Sequence, residues 1–459
     1  MQRSPPGRGV PPLDLVLLYS ATSGIRSGLP TDSLPDVDDA AMAPEVEVFR
    51  GLGHQVRLLG ITYDTLPELE RLTADFVFNY CDGTGLDGNP GTEVIVALER
   101  RGLRFSGAGS WCYWLTNDKW GSKLALAAAG VPVPAGWVAT DPEAPLPAAL
   151  AFPLIVKPRD GFGSLGVDAA SVVHDAAAAR GAIERIVGAC HTDALVERYV
   201  EGREVTVGLL GPAERPWVLP PLEVQFGSAY RDLPRIRMFA TKHDTESELY
   251  WGFRTVCPAP LPPAVTRRVQ QVARRAYRAV GGDGYARVDM RLAADGTPYV
   301  LEVNANCSLE TGEEPQDCGM LPLAAGGMGW SYPELLARLL AAGLKRPPAT
   351  RQAPLAARWR EGEATVHALA DRRAGERLLA IAAADAADAT EVLRDPAVRY
   401  LAHAPAPNLR LVADGDGLWL AAARRIRAGD VLTLDRSRAP SQLAAAAVRA
   451  RRRAGLRRR

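Results

Sequence analysis

The chain has 459 residues, 47% of them hydrophobic and 23% charged, enough for about three domains with their own cores. A formal net charge of +1 gives no global pull toward nucleic acid or membrane, although seven arginines crowd into Arg449 to Arg459. Six cysteines without a C-x-x-C pair argue against a disulfide scaffold or zinc site, and no apolar run reaches the roughly 18 residues of a membrane span, so a cytoplasmic α/β protein is expected.

After a proline- and glycine-rich start, Leu13 to Tyr19 reads as a buried first strand rather than a signal peptide. A polar, acidic loop follows to Asp39, then a helix from Pro44 to Gly51 and strands at Gln55 to Leu59 and Asp75 to Asn79. This alternation predicts a small parallel sheet. The loop CDGTGLDGNPGTE, Cys81 to Thr92 and the residue after, sits where such sheets bind ligands; a structural glycine-rich turn fits equally well. Trp111 to Gly130 reads as one helix, with Asn117 and Asp118 near its start.

Phe152 to Lys157 is a short apolar strand feeding RDGFGSLGV. Gly161, Gly163, Ser164 and Gly166 can bring backbone N–H groups close to phosphates, or simply make a turn. A helix is expected near Asp175 to Val187, then a strand from Ala194 to Tyr199, a turn at Gly202 and a second strand. Glu197 and Glu204 flank that turn, as acceptors for an adenine amine and ribose hydroxyls or as ordinary edge charges. Glu223 to Tyr250 is long and irregular and carries Tyr230, Lys242 and His243. Pro263 to Val280 is an amphipathic helix with arginines outward, and Ser331 to Leu344 another helix.

Between those helices, GYARVDMRLAADGTPYVLEVNANCSLE reads as a hairpin around a two-residue Asp295-Gly296 turn. Ala294 then faces Thr297, Asp289 lies opposite Glu302, and Arg287 opposite Asn304. Val288, Met290, Leu292, Tyr299, Leu301 and Val303 make an apolar face; Arg287, Asp289, Arg291, Val300, Glu302 and Asn304 make the other. Opposed carboxylates repel. Two of them with an amide suit Mg²⁺ and its phosphates, with Arg287 free for an oxyanion; the alternative is a solvated face neutralised by Arg287 and Arg291.

Lys119 in NDKW, Lys157 in LIVKP, the glycine loop, VERYVEGREVTV and the hairpin, taken together, resemble the ATP-grasp ligases of the D-alanine–D-alanine ligase family. The resemblance runs from about residue 13 to 344 and implies three parts: an α/β substrate domain (13–115), a central domain (116–210) and a catalytic domain (211–344), with ATP between the last two. It implies that Lys119 and Lys157 contact nucleotide phosphates under the loop Gly161 to Gly166, and that Glu197 meets the adenine and Glu204 the ribose. Lys242 would reach the terminal phosphates, and Asp289, Glu302 and Asn304 would hold two Mg²⁺ ions, with Mn²⁺ as substitute. Arg287, Lys242 and Ser164 would form the catalytic set.

The activity so implied is amide formation between small amino-acid-like substrates through an acyl phosphate, by a homodimer; Cys307 is then a packed thiol. A scaffold without turnover and a ligase acting on a peptide are the competing readings. Two departures fall on the amino-acid pockets: YSATSGIRSGLPTDSLPD lacks the family's ammonium-gripping glutamate, and NANCSLETGEEPQDCG replaces a small serine-containing loop with an acidic one. The same chemistry on altered substrates is expected.

KRPPATRQAP, Lys345 to Pro354, marks a domain boundary. Beyond it the echoed phrases Ala374 to Leu378 and Ala428 to Leu432 predict turns feeding the strands of a small β domain (355–440). AHAPAPN resembles the closing half of a SET methyltransferase domain through His403, Pro407 and Asn408, and ALADRRAGERLL its opening half. Ala402 replaces the motif's asparagine and a tyrosine is missing, which favours a docking or substrate-presenting domain over a methyltransferase. The tail (441–459) could bind an acidic partner or RNA, or only solubilise.

Overall fold

Three strands, β1 (Asp14–Ser20), β2 (Gln55–Ile61) and β3 (Phe76–Tyr80), pair in parallel in the order β2-β1-β3. Leu15 to Leu18 are all buried, alternating between two apolar clusters, as a strand covered on both faces requires. Helix α1 (Ala43–Gly51) links β1 to β2, and α2 (Thr92–Arg101) follows β3. The structure is a computed structural model, and it describes residues 10–434 apart from 144, 191, 313, 348–351, 354, 361–362, 370–371, 375, 383–401, 404–406, 415–416 and 429. The tail, 441–459, lies outside the described residues.

The single helix expected over Trp111 to Gly130 is two, α3 (Ser110–Asn117) and α4 (Lys119–Ala128). Asp118 between them is extended, and its carboxylate accepts from the Trp120 N–H at 3.0 Å. Asn and Asp compete with the helix for their own backbone, so the pair caps rather than continues it. Next comes an antiparallel sheet of β4 (Gly136–Ala139), β5 (Leu154–Pro158), β6 (Val172–Val173) and β7 (Ala194–Arg198), in the order β4-β7-β5-β6. Helix α5 (Ala176–Ala189) packs Ala179, Ile183 and Ile186 against Leu154, Val156 and Val196.

The largest sheet holds β8 (Arg203–Leu210), β9 (Trp217–Val218), β10 (Leu222–Phe226), β11 (Phe253–Val256), β12 (Tyr285–Leu292) and β13 (Pro298–Ala305), in the order β11-β10-β8-β12-β13 with β9 on β8. The stretch expected to be irregular from Glu223 therefore begins as a strand; only its later part, with the short helices α6 (Ala240–His243) and α7 (Glu248–Trp251), lacks sheet pairing until β11. Gly202, just before β8, has φ +144°, and a Cβ there would stand 2.1 Å from the Leu292 carbonyl, so this turn admits only glycine. Helix α8 (Pro263–Ala279) buries Val269, Val272, Ala273, Ala276 and Tyr277 at helical spacing and leaves its arginines exposed. Helices α9 (Met320–Gly326) and α10 (Tyr332–Leu344) complete this unit, α10 starting on a Ser331–Glu334 capping box.

The hairpin departs from its expected register twice. Its loop has three residues, Ala294 to Gly296: Ala293 donates to the Thr297 carbonyl at 3.0 Å, and Gly296 has φ +78°. Met290 therefore pairs with Val300, but Asp289 pairs with Glu302, leaving Leu301 as a bulge. Val300, not Tyr299 or Leu301, is consequently the core residue.

The chain divides into two compact units, one of residues up to Thr84 and from Asn89 to Gln352, the other from Ala353 onward with Gly85 to Gly88. In the second, β14 (Leu355–Arg360) pairs with β15 (Glu363–Ala368), β16 (Arg377–Ala382) with β19 (Gly417–Ala422) and that with β18 (Leu409–Asp414), and β17 (Ala402–His403) with β20 (Thr433–Leu434). Asn408 is buried, accepting from the Thr433 N–H at 2.7 Å and donating to the Val431 carbonyl at 2.8 Å. Among the described residues no helix is long and apolar enough to cross a membrane.

Candidate active site

Strand pairing places Asp289 opposite Glu302 and Arg287 opposite Asn304, so the three expected metal ligands come together. The Asn304 Nδ2 donates to Asp289 Oδ2 at 2.9 Å and to Glu302 Oε1 at 3.2 Å. Thr206 on β8 donates its hydroxyl to Asp289 Oδ1 at 2.8 Å, and Arg287 Nε lies 3.1 Å from Asp289 Oδ2. Burial alone would raise the Glu302 pKa, but Lys119, Lys157, Arg287 and Lys242 pull it down to about 2. Burial likewise opposes the Arg287 charge, and Asp289 more than restores it. These groups fit Mg²⁺: two carboxylates and one amide suffice for an ion that keeps waters and bridges phosphates, and turning the Asn304 amide end for end presents Oδ1 instead of Nδ2. A solvated face does not describe them, because all three are partly or fully buried.

The lysines form a second layer. Lys157 Nζ lies 2.7 Å from Glu197 Oε2, and a lysine that no motif marked, Lys123, lies 2.6 Å from Glu197 Oε1. Lys123 also donates to the Leu301 carbonyl at 2.8 Å, an acceptor at the bulge. Its signal was its place four residues after Lys119, one turn along α4. Burial pulls the Lys123 pKa down to about 8, against the pull of Glu197. For Lys157 burial is outweighed by Glu197 and Glu302, and the net shift is upward. Glu197 is no edge charge: β7 is internal, the side chain is 1% exposed, and the two lysines hold its pKa low against burial. Glu204, at the start of β8, is paired with Arg291 at 2.9 Å.

The glycine loop is strapped at three points. Lys119 Nζ donates to the Gly161 carbonyl at 2.5 Å, His243 Nε2 lies 3.2 Å from the Gly163 carbonyl, and Ser164 Oγ donates to the Arg237 carbonyl at 2.7 Å. Gly161, Gly163, Ser164 and Gly166 all have positive φ, which for Ser164 is a strained backbone. Lys242 on α6 is pulled to about 7 by burial, then by Arg237 and Arg287, with Glu302 and Asp289 opposing. The Cys307 thiol is buried and pushed up to about 12 by that burial, so it stays protonated, as a packed thiol should.

Asp118 is a further residue that sequence motifs passed over. Its carboxylate takes a bidentate pair from Arg159 at 2.8 and 2.8 Å, and the Lys119 N–H donates to the Arg159 carbonyl at 3.0 Å. The clamp fixes Lys119 against the base of the glycine loop. Asp118→Asn is expected to raise KM for ATP about tenfold with a smaller change in kcat, measured by steady-state kinetics at saturating amino acid.

The D-ala D-ala ligase C-terminus family model matches residues 135–341. A D-alanine–D-alanine ligase of Synechococcus sp. (strain JA-3-3Ab) is 32% identical over 320 residues, 67% of this chain and 89% of the relative. One of Nitratidesulfovibrio vulgaris (strain DP4) is 32% identical over 318 residues, 67% of this chain and 94% of the relative. Among solved structures, the Bacillus anthracis D-alanine–D-alanine ligase complexed with ATP superposes with a TM-score of 0.54 at 21% identity, over 72% of this chain and 98% of that one. The VanG D-Ala:D-Ser ligase of Enterococcus faecalis gives 0.55 at 20%, over 72% and 100%. These share the fold; the closer sequence relatives carry the family. With carboxylates, amide, lysines and glycine loop assembled on this scaffold, the chain belongs to the D-alanine–D-alanine ligase family of ATP-grasp enzymes and is an ATP-dependent carbon–nitrogen ligase.

Proposed function

We propose that this ligase joins two small amino-acid-like molecules, D-alanine or D-serine being the first candidates from the names of the relatives. The observation that carries the reading is the opposed pair Asp289 and Glu302, with Asn304, ringed by Lys119, Lys157, Lys242 and Arg287. One substrate's carboxylate oxygen bonds to the terminal phosphorus of ATP as the bond to ADP breaks. Mg²⁺ held by Asp289, Glu302 and Asn304 would neutralise phosphate charge there; two ions, replaceable by Mn²⁺, suit the charge of the triphosphate. Lys119, Lys157 and Lys242 offset the charge that would repel the incoming carboxylate, and the strap with Ser164 covers the phosphates. The second substrate's amine then bonds to the acyl carbon. Arg287 steadies the oxyanion, phosphate leaves, and the amine gives up its proton.

The division into domains 13–115, 116–210 and 211–344, the adenine side for Glu197, the ribose for Glu204 and a homodimer belong to the same proposal. For Glu197 the support lies in its position: its two oxygens hold Lys123 and Lys157, which ties it to the lysines of the nucleotide side. The second unit, with its resemblance to SET domains, is proposed as a docking domain; Asn408 tied to β20 supports a structural role for that motif.

Phosphate release from MgATP, scanned across D- and L-amino acids, tests the reading. Release that needs two amino acids is expected. Release that needs a peptide would reassign the acceptor, and none with any substrate would overturn ligation.

A further inference from the structure

Arg237 lies in RIRMFATKHD, five residues before Lys242, in a run with no functional pattern. The structure nevertheless builds it into the site. Its carbonyl accepts the Ser164 hydroxyl at 2.7 Å, so one residue anchors the glycine strap and carries a guanidinium at its foot. That guanidinium lies over the Phe253 ring, 5.7 Å from the centroid, and its Nη1 faces Met320 Sδ at 3.4 Å. A thioether is a weak acceptor, and Nε is shut off from solvent with no acceptor among the described residues. The charges within its reach are Arg287, Glu204 and Asp289, and it is the strongest cationic neighbour of Lys242. Asp289 already serves Arg287, and Glu204 already serves Arg291. Arg237 and Lys242 are left as neighbouring cations without a dedicated counter-charge among the described residues.

A buried guanidinium with idle donors is costly unless an oxyanion completes it, and its planar fork matches phosphoryl and carboxylate oxygens. We propose that Arg237 contacts an oxyanion of the reacting substrates, either the terminal phosphoryl group of the nucleotide or the carboxylate of the amino acid. This rests on the ligase reading above. The tie to Ser164 adds that filling this fork and seating the glycine strap go together.

The test uses the full chain with Arg237→Met and Arg237→Lys, each checked for folding by thermal unfolding. Equilibrium binding of the Mg²⁺ complexes of AMP-PNP and ADP is measured, along with KM for the amino acid that gives release in the wild type. A loss of about tenfold or more for AMP-PNP but not ADP in Arg237→Met, partly recovered in Arg237→Lys, assigns the phosphoryl group. Unchanged nucleotide binding with KM for the amino acid raised by about tenfold or more assigns the carboxylate. Unchanged affinity and KM in folded Arg237→Met overturn the proposal. So do equal losses for AMP-PNP and ADP with a lowered melting temperature, which mark a structural role. If Arg237→Met does not fold, the same comparison is read on Arg237→Lys, whose charge is kept but whose fork is lost. A wild type that binds AMP-PNP yet releases no phosphate defeats the ligase reading alone, because AMP-PNP against ADP still decides the phosphoryl role of Arg237, and equilibrium binding of D-alanine to the AMP-PNP complex then replaces KM in deciding the carboxylate role.

Discussion

Glu302→Gln is expected to lower kcat about a thousandfold in a protein that still folds. The amide keeps the volume and one accepting oxygen, but turns the other into a donor and removes a charge that a divalent ion needs. Glu302 is also the shared counter-charge of Lys119, Lys157, Arg287 and Lys242, which hold it ionised down to about pH 2. Without it those cations repel one another, so a melting temperature a few degrees lower should accompany the loss of turnover. Binding of nucleotide should become less dependent on Mg²⁺. The checks are phosphate release, a thermal melt, and nucleotide titrations with and without Mg²⁺. Near-normal turnover in the folded variant would remove Glu302 from the metal site.

Lys242→Met is expected to cut turnover by about a hundredfold or more and, at pH 7, to stabilise the ligand-free protein. The two effects share one cause. Burial comes first, then the cations Arg237 and Arg287, in lowering the Lys242 pKa to about 7. The folded protein therefore holds this proton less tightly than the unfolded chain does, and between pH 7 and the ordinary lysine pKa the unfolded chain binds more protons. Wild-type stability relative to Lys242→Met then rises with pH across that window, by at most about 1.4 kcal/mol per unit, and is flat below pH 7. Urea melts of both proteins at several pH values between 6 and 10 measure the slope. A difference that does not change with pH would mean the ammonium is not strained in the folded state.

Much of the site was legible in order and identity, less so in geometry. The Asp-Gly signal located the hairpin, and Asp289 does oppose Glu302, but through two offsets that cancel: a three-residue loop where two were expected, and the bulge at Leu301. Apolar alternation could not reveal the bulge, since Val300 and Leu301 are both apolar and either could have been the inward residue. The helix break at Asp118 was visible as a capping residue, yet the helical pattern around it was strong enough to hide it. Lys123 and Arg237 were invisible for another reason. A lysine on a helix or an arginine in a loop is ordinarily solvated, and only their burial against Glu197 and beside Lys242 distinguishes them.

The register of β12 is set by its unbroken pairing with β8, from Tyr285 with Leu210 to Leu292 with Arg203, and not by the loop that joins it to β13. Leu301 takes up the mismatch between the two. The tip of this hairpin is thus mechanically uncoupled from its base, and grafting a shorter or longer tip should leave the carboxylates aligned. For engineering, the tip is a tolerant attachment point within angstrom-sensitive chemistry, whereas indels in β8 would shift the whole register.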